Sequence, residues 1–230
     1  MSKVILVTGA NSGIGYELVR LLAEKGHTVY LGARNEVAGQ EAQEQLKKDG
    51  LDVKTVRIDV TDLASVAAAK DVIEKAEGRL DVLVNNAGIS CMDENQNATD
   101  VSLDVVRRAF EPNFFGLVQT TTTLLPLLRK APHAVIVNVS TDMASNTRQS
   151  RPEASYHLVA YNTSKVAANS YTVSLAHELR KEGIKVNVVT PGYTSTKLNF
   201  FGQGGKPVRA GAEALLPWAL LIKMVLQTCL

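Results

Sequence analysis

Tyr161 and Lys165 stand four positions apart in a stretch with helical spacing, so their side chains fall on one face of a helix. A free phenol titrates at about pH 10 and is a poor acid or base near neutrality, but an adjacent ammonium would favour the phenolate. The pair therefore predicts an unusually acidic Tyr161, acting as general acid when hydride reaches a carbonyl carbon and as general base in reverse. A neutral hydroxyl must also hold the substrate oxygen beside the phenol. Ser140 and Thr141, at the end of a β-branched run, are the candidates. Competing readings are that these hydroxyls only satisfy backbone at a strand end, and that the Tyr–Lys spacing is that of an ordinary amphipathic helix.

Hydride chemistry needs a carrier, and four strand ends offer places for one. The run Thr8-Gly9-Ala10-Asn11-Ser12-Gly13-Ile14-Gly15 follows the first apolar segment and opens a helix, whose unpaired N–H groups and positive dipole end can hold a pyrophosphate. Gly9, Asn11, Ser12, Gly13, Ile14 and Gly15 are thus candidate cofactor residues, in a G-x-x-x-G-x-G spacing rather than the general G-x-G-x-x-G. About twenty residues on, where an acid would bind a ribose 2′-hydroxyl, the chain reads Gly32-Ala33-Arg34-Asn35. Arg34 can pair with a 2′-phosphate, which favours NADP over NAD; a solvated surface Arg is the competing reading. Asp59 and Val60 end the third apolar run, where the carboxylate either accepts from the adenine amino group or caps a helix starting at Thr61 or Asp62. After the fourth, Asn86, Ala87 and Gly88 are small enough for backbone to pass close to ribose, though a plain turn would look the same.

The elements that would position these groups alternate. Short runs at residues 4–7, 28–31, 53–58, 82–84, 135–139 and 185–189 read as strands, continuously apolar in the manner of strands buried on both faces. Residues 13–25, 37–48, 63–76, 103–129 and 159–181 carry helical spacing, and the apolar stretch 215–230 reads as a further helix on the sheet. The order predicts a single α/β domain over residues 1–230, a doubly wound, Rossmann-like parallel sheet with helices on both faces. With 25 Lys and Arg against 23 Asp and Glu, the surface is balanced, which points to a small-molecule substrate and away from nucleic acid or an anionic membrane. Cys91 and Cys229 make neither a disulfide framework nor a metal site, and the apolar start is too short for a signal peptide, so a cytoplasmic protein without metal is expected.

Taken in order, TGANSGIG, NNAG, the run Tyr161-Asn162-Thr163-Ser164-Lys165 and Pro191-Gly192 resemble the short-chain dehydrogenase/reductase family from about Lys3 to Thr196. FEPNFFG, within the 103–129 segment, resembles the carbonyl reductases in particular. The resemblance implies an NADPH-dependent oxidoreductase moving hydride between nicotinamide and a carbonyl compound or secondary alcohol. It further implies that Lys165 holds the nicotinamide ribose, that Asn113 anchors a water relaying protons from Lys165 to solvent, and that Pro191, Gly192, Thr194 and Thr196 clamp the nicotinamide. By its distance from Tyr161, Thr141 matches the family's catalytic serine, with Ser140 as understudy. Pro112 is a departure that should kink the 103–129 helix at Asn113, and Pro126 should end it or serve packing. Residues 142–158 and 198–209 should form the lid, with Phe200 and Phe201 as an apolar wall. The family's last strand carries Gly-x-Phe, absent from residues 221–230. This predicts an atypical end over 222–230, a truncated or alternative terminus, and an exposed sheet edge. The alternative functional reading is an NADP-binding pseudoenzyme or redox-sensing regulator, and a smaller one is membrane association through Trp218. Subunit count is open between monomer and homo-oligomer.

Overall fold

In a computed structural model the chain is described over residues 2–221. Six parallel strands, β1 (Val4–Val7), β2 (Thr28–Ala33), β3 (Lys54–Arg57), β4 (Val82–Asn85), β5 (Val135–Val139) and β6 (Lys185–Val189), lie in the order β3-β2-β1-β4-β5-β6. The helices between and after them are α1 (Gly13–Glu24), α2 (Glu36–Lys48), α3 (Leu63–Glu77), α4 (Leu103–Phe110), α5 (Gly116–Leu128), α6 (Asn146–Gln149), α7 (Val159–Leu179) and α8 (Val208–Ala219). Successive side chains of a strand point to opposite faces. Ile5 and Val7 therefore pack with α1, α2 and α8, while Val4 and Leu6 pack with α3, α5 and α7. Covering both faces is what buries every residue of β1, β4 and β5, as the continuous apolar runs predict.

The expected elements are present with shifted bounds. β2 runs two residues past Leu31. The helix expected from residue 215 begins at Val208, where it takes up the end of the expected lid; residues 222–230, including the atypical end, lie outside the described residues. The segment 103–129 is not one helix. Pro112 has no N–H to continue the ladder, and residues Glu111–Phe115 form a π turn in which the Gly116 N–H reaches back to the Glu111 carbonyl. Phe110, Phe114 and Phe115 pack their rings at this break. Pro126 lies inside α5, two residues before its last.

Polar order inside the core ties the site-bearing elements together. Asn85 on β4 donates to Thr121 on α5 at 2.9 Å and to Asn138 on β5 at 2.8 Å; Asn138 in turn donates to Thr172 on α7 at 2.8 Å. All four side chains are buried, so each bond is made where water cannot replace it. Asn138→Ala would strand partners on both sides and is expected to lower stability by about 2–4 kcal/mol. Urea denaturation reads this as a lower midpoint at unchanged slope; an unchanged midpoint would mean that the network constrains nothing.

Candidate active site

At the carboxyl ends of β1 and β4, where the winding reverses, the backbone is laced across the gap. Thr8 Oγ1 accepts from the Asn86 and Ala87 N–H groups at 3.0 and 3.1 Å, while Asn86 Nδ2 donates to the Thr8 and Gly9 carbonyls at 2.9 and 3.1 Å. Gly9 has φ +62°, and a Cβ there would stand 2.8 Å from Ala87 Cα, so only glycine permits this approach. Ser12 occupies the N-cap position of α1 without a side-chain capping bond, which leaves first-turn N–H groups of Gly13, Ile14 and Gly15 available to an anion. Beside Asn11 and Ser12 a groove of about 420 Å³ opens between α1 and α2, lined also by Tyr16, Glu41 and Gln45. A cradle closed to side chains and an uncapped helix start together fit the phosphates of a nucleotide cofactor.

Arg34 is exposed at the end of β2. Burial raises the Asp59 carboxyl pKa, but the Thr61 N–H and hydroxyl, helped by the Arg34 and Arg57 guanidinium groups, outweigh it and hold the carboxyl below its usual range. Of the two readings of Asp59, capping is not observed. Its Oδ1 accepts from Thr61 N and Oγ1 at 3.0 and 2.7 Å, and α3 is capped instead by Asp62, which accepts from Ala64 N. The Val60 carbonyl accepts from Gln119 Nε2 on α5.

Tyr161 and Lys165 lie in the first two turns of α7, exposed by only 8% and 5%. The Thr141 hydroxyl lies near enough to the Tyr161 phenol to draw its pKa down, and Lys165 Nζ donates to the Val139 carbonyl at 2.9 Å. The two hydroxyls at the end of β5 thereby separate: Thr141 meets the phenol, whereas Ser140 donates to Asn169 at 2.7 Å. Thr141 Oγ1 also accepts from Met143 N at 3.2 Å, so it caps the short turn Asp142–Ala144 as well. Burial acts against the acidity expected of the phenol. Desolvation pushes the Tyr161 pKa up to about 12, with Thr141 pulling the other way, and pushes Lys165 down to about 8. In a dry site both groups lose the solvation of their charged forms, and the phenol stays protonated through the neutral range.

Asn113 is fully buried in the π turn and its side chain is spent as a brace. Oδ1 accepts from Ile89 N at 2.9 Å, and Nδ2 donates to the Ile89 carbonyl at 2.8 Å and to Ser164 Oγ at 3.0 Å. Gly88 sits between this brace and the lysine: a Cβ there would be 2.7 Å from Asn113 Oδ1 and 3.4 Å from Lys165 Nζ. Past β6, Pro191 is buried and Gly192 has φ +71°, with Thr194 Oγ1 donating to the Gly192 carbonyl at 3.1 Å. Thr196 forms a reciprocal capping box with Asn199, whose Nδ2 also donates to the Thr194 carbonyl at 2.9 Å. Phe200 and Phe201, both exposed, follow with φ of 52° and 56°, a strained conformation for large side chains. The first expected lid segment holds the Asp142–Ala144 turn and α6.

Asn199, Ser90 and Gln96 were not among the expected residues. Thr-x-x-Asn at 196–199 is a capping signature that could have marked Asn199. Ser90, which donates to the Leu198 carbonyl at 2.6 Å, and Gln96, which accepts from Tyr161 N at 3.0 Å, sit in a polar loop with no local signal. Among the described residues there is no group of three His, Cys, Asp or Glu side chains able to hold a metal, and no helix long and apolar enough to cross a membrane.

Residues 3–201 match the family model of the short chain dehydrogenases. The chain is 31% identical to (-)-isopiperitenone reductase of Mentha piperita, with 96% of this chain and 93% of the relative covered. It is 32% identical to carbonyl reductase (NADPH) 3 of Mus musculus, with 96% and 91% covered. The solved structure of salutaridine reductase from Papaver somniferum superposes with a TM-score of 0.84 at 27% identity, over 95% of this chain and 96% of that one.

Lys165 has a folded-state pKa of about 8 against an ordinary 10.5. Between those values the folded protein binds fewer protons than the unfolded chain, so stability rises with pH there; below about pH 8 the charged amine is carried at full desolvation cost. Lys165→Met, similar in length and uncharged, is expected to raise stability at neutral pH by about 1–3 kcal/mol, and the gain should shrink as pH climbs toward 10.5. Urea denaturation at neutral and alkaline pH measures both; a variant less stable than the parent at neutral pH would contradict the burial argument.

Proposed function

The chain belongs to the short chain dehydrogenase family, a family of oxidoreductases, and on that premise we propose that it is an NADPH-dependent carbonyl reductase with Tyr161 as its general acid. The observation that carries this reading is a buried phenol on α7 beside the Thr141 hydroxyl, one helical turn from the buried Lys165. When bound, NADPH supplies the hydride. Tyr161 donates its proton to the substrate carbonyl oxygen, and Thr141 donates a hydrogen bond that holds that oxygen and then the phenolate left behind. In the reverse direction the same phenolate takes the alcohol proton. Lys165, with donors beyond the one used on Val139, holds the nicotinamide ribose and steadies the phenolate by its charge. Asn113, braced against Ile89 and Ser164, borders the water path that returns a proton from Lys165 to solvent.

For the cofactor, we assign the pyrophosphate to Gly9, Asn11, Ser12, Gly13, Ile14 and Gly15, the adenine to Asp59 and Val60, and the ribose to Asn86, Ala87 and Gly88. Arg34 takes the 2′-phosphate. Pro191, Gly192, Thr194 and Thr196 bury one face of the nicotinamide, which decides which hydride moves. The substrate is a small-molecule carbonyl compound or secondary alcohol, of medium size, and the protein works in the cytoplasm.

A panel of carbonyl compounds followed at the NADPH absorbance band tests the activity. Tyr161→Phe is expected to lower turnover by about 10²–10⁴-fold while NADPH still binds. If the parent protein binds NADPH and turns over no compound, the alternative of an NADP-binding pseudoenzyme replaces this reading. Cofactor choice is tested separately: Arg34→Asp is expected to weaken NADPH binding by about 10- to 100-fold and leave NADH nearly unchanged. An unchanged NADPH-to-NADH ratio would reduce Arg34 to a surface residue.

A further inference from the structure

We propose that Gln96 is a positioning residue of the reaction: its side chain supplies from a distant loop the N-cap that α7 lacks, and so sets the Tyr161 phenol against Thr141. The inference rests on the reading of Tyr161 as general acid.

A helix leaves its first N–H groups without intrahelical partners, and a local Ser, Thr, Asp or Asn usually satisfies one of them. The residue at the N-cap of α7 is Leu158, which has no side-chain oxygen and makes no capping bond. Asn162 N to the Leu158 carbonyl, at 2.7 Å, starts the helical ladder, so the Tyr161 N–H falls just before it. Gln96, sixty-five residues earlier, accepts that N–H with Oε1 at 3.0 Å, and its own carbonyl accepts from Val159 N at 3.2 Å. The side chain is only 3% exposed, and its amide orientation is set by its partners: both Nε2 protons point at carbonyls, Ser90 at 2.9 Å and Cys91 at 2.6 Å.

Those carbonyls belong to a loop that is itself held. Asn113 brackets Ile89 from both sides, Ser90 Oγ reaches the Leu198 carbonyl, and Cys91 sits at φ +51°, a conformation that neighbouring bonds must sustain. Gln96 thus joins the first turn of α7 to the segment that passes Gly88 and Lys165. Without it the turn bearing Tyr161 would be free to fray, and a displacement of about 1 Å at a reacting group costs about 100-fold in rate.

Gln96→Met, of similar shape and without hydrogen-bonding atoms, is expected to lower kcat by about 10- to 100-fold with the carbonyl substrate, leaving NADPH affinity within about threefold. Gln96→Glu, which keeps an acceptor for the Tyr161 N–H, should recover part of that loss. In a Tyr161→Phe background Gln96→Met should have no further effect. If Tyr161→Phe is inactive and Gln96→Met keeps its kcat, the positioning role is overturned and the acid assignment stands; if Tyr161→Phe keeps its kcat, the acid assignment itself fails. Amide hydrogen exchange at Tyr161 in the unmodified protein tests the tether whatever the variants' stability. Exchange slowed by about 100-fold or more is expected, and exchange at the unprotected rate would overturn the proposal.

Discussion

The parallel pairing of β1 with β4 is the constraint on which the site depends. Ile5, Leu6 and Val7 lie against Val82, Leu83 and Val84, and from that pair the chain winds outward in opposite directions, to β2 and β3 on one side and to β5 and β6 on the other. Connections leaving toward opposite edges cannot cover the strand ends between them, so a crevice opens there. Thr8 and Asn86 close its floor by exchanging bonds with backbone across the gap, and glycine at position 9 lets the two chains touch. The groups assigned to chemistry follow the carboxyl ends of the strands, with Tyr161 and Lys165 on the first turns of α7 and Asn113 in the π turn.

The rim is built against its own stability. A phenol and an amine are placed in a dry cleft where desolvation pushes both toward their neutral forms. The protein keeps them there by distributing polar groups around them: the Val139 carbonyl accepts from the amine, Thr141 stands beside the phenol, and the Asn85–Asn138–Thr172 chain fixes the distance between β5 and α7. A site of this kind differs from a packed apolar core because its best arrangement for folding and its best arrangement for proton transfer are not the same.

Much of this was legible in the residues. Strand order and burial follow from apolar runs separated by helical spacing, and the glycine run, the Tyr–Lys interval and the amide-rich turn after β4 each state their chemistry locally. What was not legible depends on contacts between distant segments. Ser140 and Thr141 are adjacent and chemically alike, and only the position of Asn169 on α7 decides which hydroxyl is left to face the phenol. For Tyr161 and Lys165, spacing reveals the neighbouring charge but not the depth at which both groups are buried. Asp59 read as an adenine acceptor or a helix cap, and only the structure shows Thr61 occupying its carboxylate while Asp62 caps α3. Pro112 announced a break without announcing its form.

That form reaches beyond the break. A π turn amounts to one residue inserted into an α-helix, and one residue corresponds to roughly 100° of rotation about the axis. The halves on either side of Glu111–Phe115 are therefore out of phase, and their apolar stripes face different ways: α4 packs against α7, and α5 packs against α3. An uninterrupted rod would have offered a single stripe to a single neighbour. By slipping its phase at one point, the same stretch of chain can lean on the helix that carries the phenol and on the far flank of the sheet at once, with Asn113 at the pivot.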